Sequence, residues 1–248
     1  MYIGTQDAPK NDSDLKLMAQ LGIDHLCADP IGSWRKWDLE TLTVFREKIV
    51  SFGLTLDMIA LPLESRAARL NGAPHVFLGP SVERDQEIEL ICELIRNCSR
   101  AGIPAVKYNV TILGHLRTGP RYGRGGSKLS SFQYDELNHT LPDAEGSPAP
   151  ADVVWERIDY FLERVVPVAE EYKVRLACHP QDPGIGDRLY RGVARVMGTV
   201  EGLKRFVSMH ESPYHGLNFC QGTVSEMLRD PGSEIYDVIR YFGSRKKI

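Results

Sequence analysis

The sequence lacks the features that would mark a membrane-spanning, secreted or nucleic-acid-binding protein. It contains no run of roughly 18 apolar residues, which a membrane-spanning helix would need. The first five residues have neither the basic nor the apolar region of a secretory signal, so we expect a cytoplasmic protein. The 30 Lys and Arg residues and the 33 Asp and Glu residues give a net charge of -3. Because neither sign dominates, the composition indicates neither nucleic acid nor an anionic membrane as a partner.

Cysteine is also scarce. The five cysteines are odd in number, scattered, and without a C-x-x-C pair: Cys27, Cys92, Cys98, Cys178 and Cys220. This pattern predicts reduced thiols rather than a disulfide framework or a zinc ribbon. The rest of the composition, 42% hydrophobic and 25% charged, is ordinary for a globular protein. A length of 248 residues allows one large α/β domain or two small ones.

One pattern recurs along the chain: a short apolar run, an amphipathic helix, and a glycine before the next apolar run. The apolar runs predict strands at residues 1–5, 23–28, 54–60, 105–110, 174–179 and 216–220. The amphipathic segments predict helices at residues 12–21, 39–52, 83–101, 153–172, about 200–207 and 234–242.

Single residues predict several helix ends. Asp38 is a candidate N-cap, and Pro167 should kink its helix or begin its end. A glycine in the left-handed conformation is expected to end four of the helices, at Gly22, Gly53, Gly102 and Gly243.

Strands that alternate with helices predict a parallel sheet with right-handed crossovers. We count six strand–helix units, whereas a closed barrel has eight. The rhythm places the start of a seventh strand near Ile248, so the chain is either an open six-stranded sheet or part of a longer barrel. Residues 111–150 interrupt the pattern, and we expect this long loop to cover the carboxyl ends of the strands as a mobile lid.

Candidate functional residues follow from the rule that active sites in parallel α/β proteins lie at the carboxyl ends of strands. His179 and Cys220 end adjacent predicted strands, which lie about 4.8 Å apart, so both side chains could reach one metal ion. The alternatives are a hydrogen-bonded histidine at a strand end and a small buried cysteine. Asn109 ends the fourth strand and could bind substrate hydroxyls or cap the strand.

The long loop adds three arginines, Arg117, Arg121 and Arg124, which could bind a carboxylate or simply be solvated. Trp34 and Trp37 follow the second strand and could line a sugar pocket or pack against the core.

Three other histidines have no partner at a suggestive spacing, and we expect them at the surface: His115, His139 and His210.

Three segments together resemble the mannonate dehydratase family. The first, residues 179–183, reads His-Pro-Gln-Asp-Pro and is similar to that family's His-Pro-Asp-Asp-Pro, with Gln181 in place of an aspartate. The second, residues 212–222, is similar to its Ser-Pro-x-x-Gly-Leu-x-Phe-Cys-x-Gly motif. The third is Ala-Gly-Ile at residues 101–103, followed by Tyr108-Asn109 and Arg117-Thr118. The similarity runs in order from about Leu54 to the end of the chain.

The resemblance implies a (β/α)8 TIM barrel of the xylose-isomerase-like kind, with about six of eight units in residues 1–248 and a loop insertion at about 111–150. It implies a divalent metal, Mn²⁺, and dehydration of D-mannonate to 2-keto-3-deoxygluconate in hexuronate catabolism. His179 and Cys220 are then metal ligands, and Asn109 and Arg117 bind substrate. The remaining ligands, a histidine and an aspartate, together with the catalytic acid and base, are expected beyond Ile248.

Two alternatives remain open at this point. One is a sugar isomerase or epimerase on the same type of barrel, which usually relies on Glu, Asp and His ligands. The other is a non-catalytic barrel fragment. The expected partner is a small sugar acid, and a homo-oligomer is left open. With two of its expected ligands in hand, the 248-residue chain is predicted to turn over D-mannonate slowly or not at all.

Overall fold

The structure is a computed structural model that describes residues 2–248. Its central element is a parallel sheet of six strands. In chain order these strands are β1 (Gly4–Thr5), β2 (His25–Cys27), β3 (Thr55–Ala60), β4 (Ala105–Asn109), β7 (Arg175–His179) and β10 (His215–Leu217). Two short antiparallel hairpins pair β5 (Arg121–Tyr122) with β6 (Lys128–Leu129) and β8 (Leu189–Tyr190) with β9 (Val193–Ala194).

The helices are α1 (Asp12–Gln20), α2 (Leu39–Ser51), α3 (Val82–Arg100), α4 (Ala151–Tyr172), α5 (Val200–Ser208), α6 (Gln221–Ser225) and α7 (Pro231–Ser244). The predicted strand at residues 1–5 is reduced to β1, and Met1 lies outside the described residues. The predicted last strand is shorter than expected, because the chain turns into α6 at Gln221.

The strands are ordered as in the chain, β1-β2-β3-β4-β7-β10, as the alternation of strands and helices predicted. The longest register, between β4 and β7, runs from Ala105 opposite Arg175 to Asn109 opposite His179. Across the described chain, β1 and β10 are not paired with each other, so the sheet is open. The backbone N–H of Leu217 donates to the carbonyl of Lys247 at 2.7 Å, so the chain returns beside β10 where a seventh strand was predicted.

Helix packing on the sheet follows from apolar stripes spaced three and four residues apart. In α3, Ile88, Ile91 and Ile95 are buried, and in α4 the same is true of Ile158 and Phe161. These two helices pack on each other and on the outer face of the sheet. Each fully buried side chain of this size contributes about 1.5–3 kcal/mol to stability.

Helix ends confirm most of the sequence predictions. The Asp38 carboxylate accepts a hydrogen bond from the Thr41 N–H, as an N-cap should. Three of the four predicted glycines have positive φ: Gly22 (73°), Gly53 (78°) and Gly102 (76°). The prediction for Gly243 is wrong, because α7 continues through it to Ser244 and the left-handed residue is Lys246.

Helix α4 contains Pro167 and still continues to Tyr172. It ends at Lys173, which takes the left-handed conformation with φ of 59°.

The long loop, residues 111–150, has more structure than its sequence indicated, since it contains the β5–β6 hairpin. Leu116 packs with Ile185 and Tyr190 in a small apolar cluster of its own. The long loop therefore lies against the segment that follows β7, at the carboxyl ends of the strands. Within residues 2–248, no helix combines the length and apolar character needed to cross a bilayer.

Candidate active site at the carboxyl ends of the strands

His179 and Cys220 lie at the same end of two neighbouring parallel strands. His179 is the last residue of β7, and Cys220 follows β10 by three residues and precedes α6. Leu217 lies opposite Cys178, and the Asn218 N–H donates to the Cys178 carbonyl at 2.9 Å. Both residues are only partly buried, and His179 lines a depression at this end of the sheet.

The ring of His179 is oriented by its own backbone neighbour. Its Nδ1 is 2.7 Å from the carbonyl oxygen of Pro180, and a carbonyl can only accept. Nδ1 therefore carries the proton, and Nε2 keeps a free lone pair. Histidines that bind metals commonly have this arrangement, with the second nitrogen hydrogen-bonded to a carbonyl or carboxylate.

The thiol of Cys220 is contacted by the first turn of α6. The Thr223 hydroxyl donates to Cys220 Sγ at 3.2 Å, which fixes the position of the sulfur. The other four cysteines are also free, as the sequence predicted, and Cys92, Cys98 and Cys178 are buried. Burial raises the pKa of the Cys92 thiol to about 11 and that of Cys98 to about 12, so neither is a candidate ligand.

Arg117 reaches the mouth of the sheet but faces a protein carboxylate. Its NH1 and NH2 groups each donate to one oxygen of Asp182, both at 2.9 Å. Burial raises the pKa of Asp182, but the hydrogen bonds and charge of Arg117, with help from His115, outweigh burial and bring that pKa below its usual value. The pair joins the long loop to the segment after β7. A substrate carboxylate could use Arg117 only by sharing it with Asp182.

Two buried polar residues to which the sequence analysis assigned no role hold the same loops together. Arg195 is 3% exposed and donates to the carbonyls of Gly114, Asp182 and Pro183. Burial lowers its pKa to about 10, which leaves it charged at neutral pH. Arg195 binds carbonyls from two distant segments, and the sequence around an isolated loop arginine does not indicate such contacts.

The hydrogen bonds of Gln181 account for a glutamine at the position where the His-Pro-Asp-Asp-Pro motif has an aspartate. Its side-chain nitrogen donates to the Val110 carbonyl at 3.0 Å, and its side-chain oxygen accepts from the Met197 N–H at 2.9 Å. An ionised aspartate has no donor, so it could not make the first of these bonds. Gln181 thus ties the segment after β7 to the end of β4.

His115 is exposed, as predicted, yet it belongs to the site. It lines one depression with Asn109, His179 and Asp182, and its Nε2 lies 3.9 Å from the Asp182 carboxylate. Burial lowers the pKa of His115, Asp182 opposes that effect, and Arg117 reinforces it. No spacing in the sequence indicated a role for His115, because its partners come from other segments.

Glu226 is a further acidic group at this end of the sheet, just past α6. Burial and the charge of Asp182 raise its pKa, and the charge of Arg117 lowers it. The loop after β10 therefore brings a carboxyl group into the electrostatic surroundings of the Arg117–Asp182 pair.

Asn109 is placed at the carboxyl end of β4, opposite His179 in register. Its side-chain nitrogen donates to the Leu63 carbonyl at 3.2 Å, so it ties the end of β4 to the segment after β3. Asn109 also lines the depression that contains His179.

The remaining candidates fall into separate places. Arg121 pairs with Glu136 within the long loop, and Arg124 lies at the turn of the β5–β6 hairpin. The His139 Nε2–H donates to the Tyr134 carbonyl at 3.0 Å, and His210 pairs with Asp159 at 2.9 Å. None of these four side chains lines the depression around His179.

The donor set for a metal ion is partial. Over residues 2–248, no group of three or more His, Cys, Asp and Glu side chains is close enough to hold an ion. His179 offers a nitrogen donor and Cys220 a sulfur donor, both at the carboxyl ends of the strands. Together they fit part of such a site. Catalytic metal sites commonly have three protein ligands and one open position.

Comparisons with known proteins agree with this architecture. A family model described as D-mannonate dehydratase (UxuA) matches residues 149–248, the segment that holds both His179 and Cys220. A mannonate dehydratase of Thermotoga petrophila is 29% identical over 88% of this chain and 65% of its own length. Mannonate dehydratase 2 of Halalkalibacterium halodurans is 24% identical over 86% of this chain and 64% of its own length. The chain thus spans slightly less than two thirds of these curated relatives.

Solved structures show the same fold. The mannonate dehydratase of Streptococcus suis serotype 2 superposes with a TM-score of 0.79, at 24% identity, over all of this chain and 71% of that one. The 3-keto-D-glucoside 4-epimerase of E. coli superposes with a TM-score of 0.55 at 13% identity. The six strands are therefore the strands of a TIM-barrel-like fold. Residues 149–248 match the mannonate dehydratase family model, and most of the chain is similar in sequence to members of that family.

Proposed function

We propose that this chain carries the metal-binding side of a hydro-lyase active site that removes water from a sugar acid. The substrate is D-mannonate and the product 2-keto-3-deoxygluconate. The observation that carries the proposal is the position of His179 and Cys220 at the same end of adjacent strands, inside the segment that matches the family. The reaction and its substrate are those of the mannonate dehydratases that the chain is similar to.

A divalent metal, Mn²⁺ in our proposal, would be held by His179 Nε2 and Cys220 Sγ. Both donors bind a metal only when they are deprotonated, so binding weakens in acid. When bound, the ion would stabilise the negative charge that develops on the substrate carboxylate as the neighbouring carbon loses its proton. The hydrogen bond from His179 to Pro180 and the one from Thr223 to Cys220 hold the two donors in place.

Asn109 and Arg117 are the substrate-binding residues of the proposal. Asn109 lines the depression that contains His179. Arg117 keeps its charge next to Asp182, and a substrate carboxylate would bind its guanidinium by sharing it with Asp182. The acid and base are not assigned to any described residue.

Metal binding gives the sharpest test of the site. We expect His179→Ala and Cys220→Ala each to weaken Mn²⁺ binding by at least tenfold, measured by equilibrium dialysis with metal analysis. His139→Ala and Cys92→Ala are matched controls, and both should bind Mn²⁺ as the parent chain does. If the two site variants also retain full metal affinity, the assignment of the ligands is wrong.

The reaction is tested on the same samples. D-mannonate with Mn²⁺ should give a 2-keto acid, slowly compared with the roughly 10 per second of an ordinary enzyme. The His179→Ala variant should give none. Interconversion of ketose and aldose without loss of water would instead support an isomerase or epimerase. Sugar-acid binding without either reaction would support the non-catalytic alternative.

We also propose that residues 1–248 form a single domain in the cytoplasm. A single hydrophobic cluster runs from Leu15 in α1 to Phe242 in α7, which favours one domain over two. The five free thiols favour a reducing compartment.

A further inference from the structure

A second cavity lies beside the candidate active site, on the side of β2 and β3. Its volume is about 550 Å³. Its lining includes six residues that lie in or after β2, β3 and β4: Asp29, Trp34, Trp37, Ser65, Lys107 and Asn109. Nothing in the relatives' names or in the sequence motifs assigns a role to this cavity.

This cavity adjoins the depression around His179. Asn109 and Ser65 line both of them. Asn109 lies in β4, next to β7, while Asp29 follows β2 on the far side of β3. Neighbouring strands are about 4.8 Å apart, so the two regions together form a trough about 10–15 Å long. A ligand in this trough would be extended rather than compact.

Trp34 forms a fixed aromatic wall. Its indole N–H donates to the Gly72 carbonyl at 3.1 Å, and the Arg35 guanidinium lies over its ring at 4.8 Å. A methyl group added at Gly72 would lie 2.8 Å from the ring, so the ring has no room to retreat on that side. Binding pockets for small molecules commonly combine such walls with a few polar groups.

Trp37 is the second aromatic residue of the cavity. It is 9% exposed and lines the cavity together with Trp34. Its indole Nε1 is shielded from solvent, so Trp37 contributes other atoms of its side chain, rather than this donor, to the lining.

The charged groups of the cavity balance each other. Lys107 Nζ donates to the Gln6 side chain at 3.1 Å and faces Asp29, whose carboxylate accepts from the Ala60 N–H at 2.6 Å. Arg66 and Glu64 also line the cavity and pair with each other at 2.8 Å, so two cations and two anions give no net attraction for a carboxylate. They present donors and acceptors together, which matches a chain of neutral hydroxyl groups.

We propose that this cavity is a polyol subsite, which binds the hydroxylated tail of an open-chain sugar acid through Lys107 and Asp29 against the wall of Trp34 and Trp37. The carboxylate end then lies at His179, and that orientation rests on the proposed function. The trough makes the protein selective for chain length: a six-carbon acid fills both regions, and a three-carbon acid fills only one.

Intrinsic fluorescence can report this binding directly. The chain has three tryptophans, and Trp155 lies in α4 under Arg205, away from the cavity. In a Trp155→Phe background, the remaining signal comes from Trp34 and Trp37. We expect D-mannonate and the neutral alditol D-mannitol both to change this signal with saturation. D-glycerate, with three carbons, should change it little.

Substitutions test the two polar groups. Lys107→Gln and Asp29→Asn should each weaken D-mannonate and D-mannitol binding about tenfold or more, as expected for loss of a hydrogen bond to a charged group. Both should reduce the difference in affinity between six-carbon and three-carbon acids. Mn²⁺ binding should be unchanged, which separates the effect from the metal site. Lys16→Gln, an exposed residue on α1, is the matched control and should bind as the parent does.

Asp29→Asn keeps the shape of its side chain and provides the test if Lys107→Gln fails to fold. The outcomes separate the two proposals. Length-selective binding that depends on Lys107 and Asp29, without D-mannonate dehydration, supports the subsite and contradicts the proposed reaction. Dehydration with equal affinity for D-glycerate and D-mannonate, or with both variants binding normally, overturns the subsite.

Discussion

His215 should make the stability of this protein sensitive to mild acid. The residue is 1% exposed at the start of β10, and its Nε2–H donates to the Phe206 carbonyl at 3.0 Å. Its Nδ1 is buried without a partner in the described chain, and its ring meets the Phe206 ring edge-on at 4.7 Å. Burial lowers the pKa of His215 to about 4, and the nearby charge of Lys247 adds to that effect.

The sign and size of the effect follow from that pKa. The folded value is below the ordinary value of 6.5, so the unfolded chain binds the proton more tightly. The contribution of neutral His215 is complete above about pH 6.5 and is lost as the pH falls toward 4. At pH 5 the loss is about 2 kcal/mol, and near pH 4 it approaches 3 kcal/mol. A loss of this size is measurable, because the total free energy of unfolding of a domain is about 5–15 kcal/mol.

Urea unfolding measured between pH 8 and pH 4.5 tests the reasoning. His215→Gln keeps an N–H donor but cannot titrate, so its stability should fall less steeply between pH 6.5 and pH 4.5. The variant should also be less stable at pH 8, by about 1–3 kcal/mol, because the ring packing is lost. His139→Gln, which changes an exposed histidine, should keep the parent slope. Equal slopes for the parent and His215→Gln would show that His215 is not the titrating group.

Three further substitutions test other parts of the structure. Asp182→Asn weakens the partly exposed pair with Arg117, so it should cost about 1 kcal/mol and speed proteolytic cleavage of the long loop, followed by gel electrophoresis. Gly202→Ala places a methyl group 1.8 Å from the Val196 carbonyl, so thermal unfolding should show a loss of about 1–3 kcal/mol, where helix propensity alone would predict a gain. Lys173→Gly removes strain from a left-handed residue, so urea unfolding should show a gain of about 0.5–1 kcal/mol.

The order of the sheet was predictable because local patterns determine it. A helix that ends at a left-handed glycine, as at Gly22, returns the chain to the sheet within a few residues. Lys173 ends α4 in the same conformation without the glycine, and Gly243 lies inside α7. Tertiary packing decides these two cases, and the local sequence does not reveal it. The loops could not be predicted for the same reason.

The candidate site likewise contains residues that the sequence could predict and residues that it could not. The positions of His179 and Cys220 follow from the ends of two strands, so the sequence places both of them at one mouth. The roles of Arg195, Gln181 and Glu226 depend on atoms far away in the chain, and each lies in a segment without periodicity. A sequence pattern can therefore find residues carried by strands, but it misses those that organise the loops.

Those loop-organising residues limit which parts of the long loop can move. Its base is held at Gly114 by buried Arg195, and at Arg117 by Asp182. Opening at the base would expose a buried guanidinium and break several charge-assisted hydrogen bonds, each of about 1.5–3 kcal/mol. The β5–β6 hairpin is exposed and is tied down by fewer contacts. The predicted lid motion should therefore be confined to this hairpin. The residues that surround His179 would then stay in place while substrate enters, as a site that positions a substrate requires.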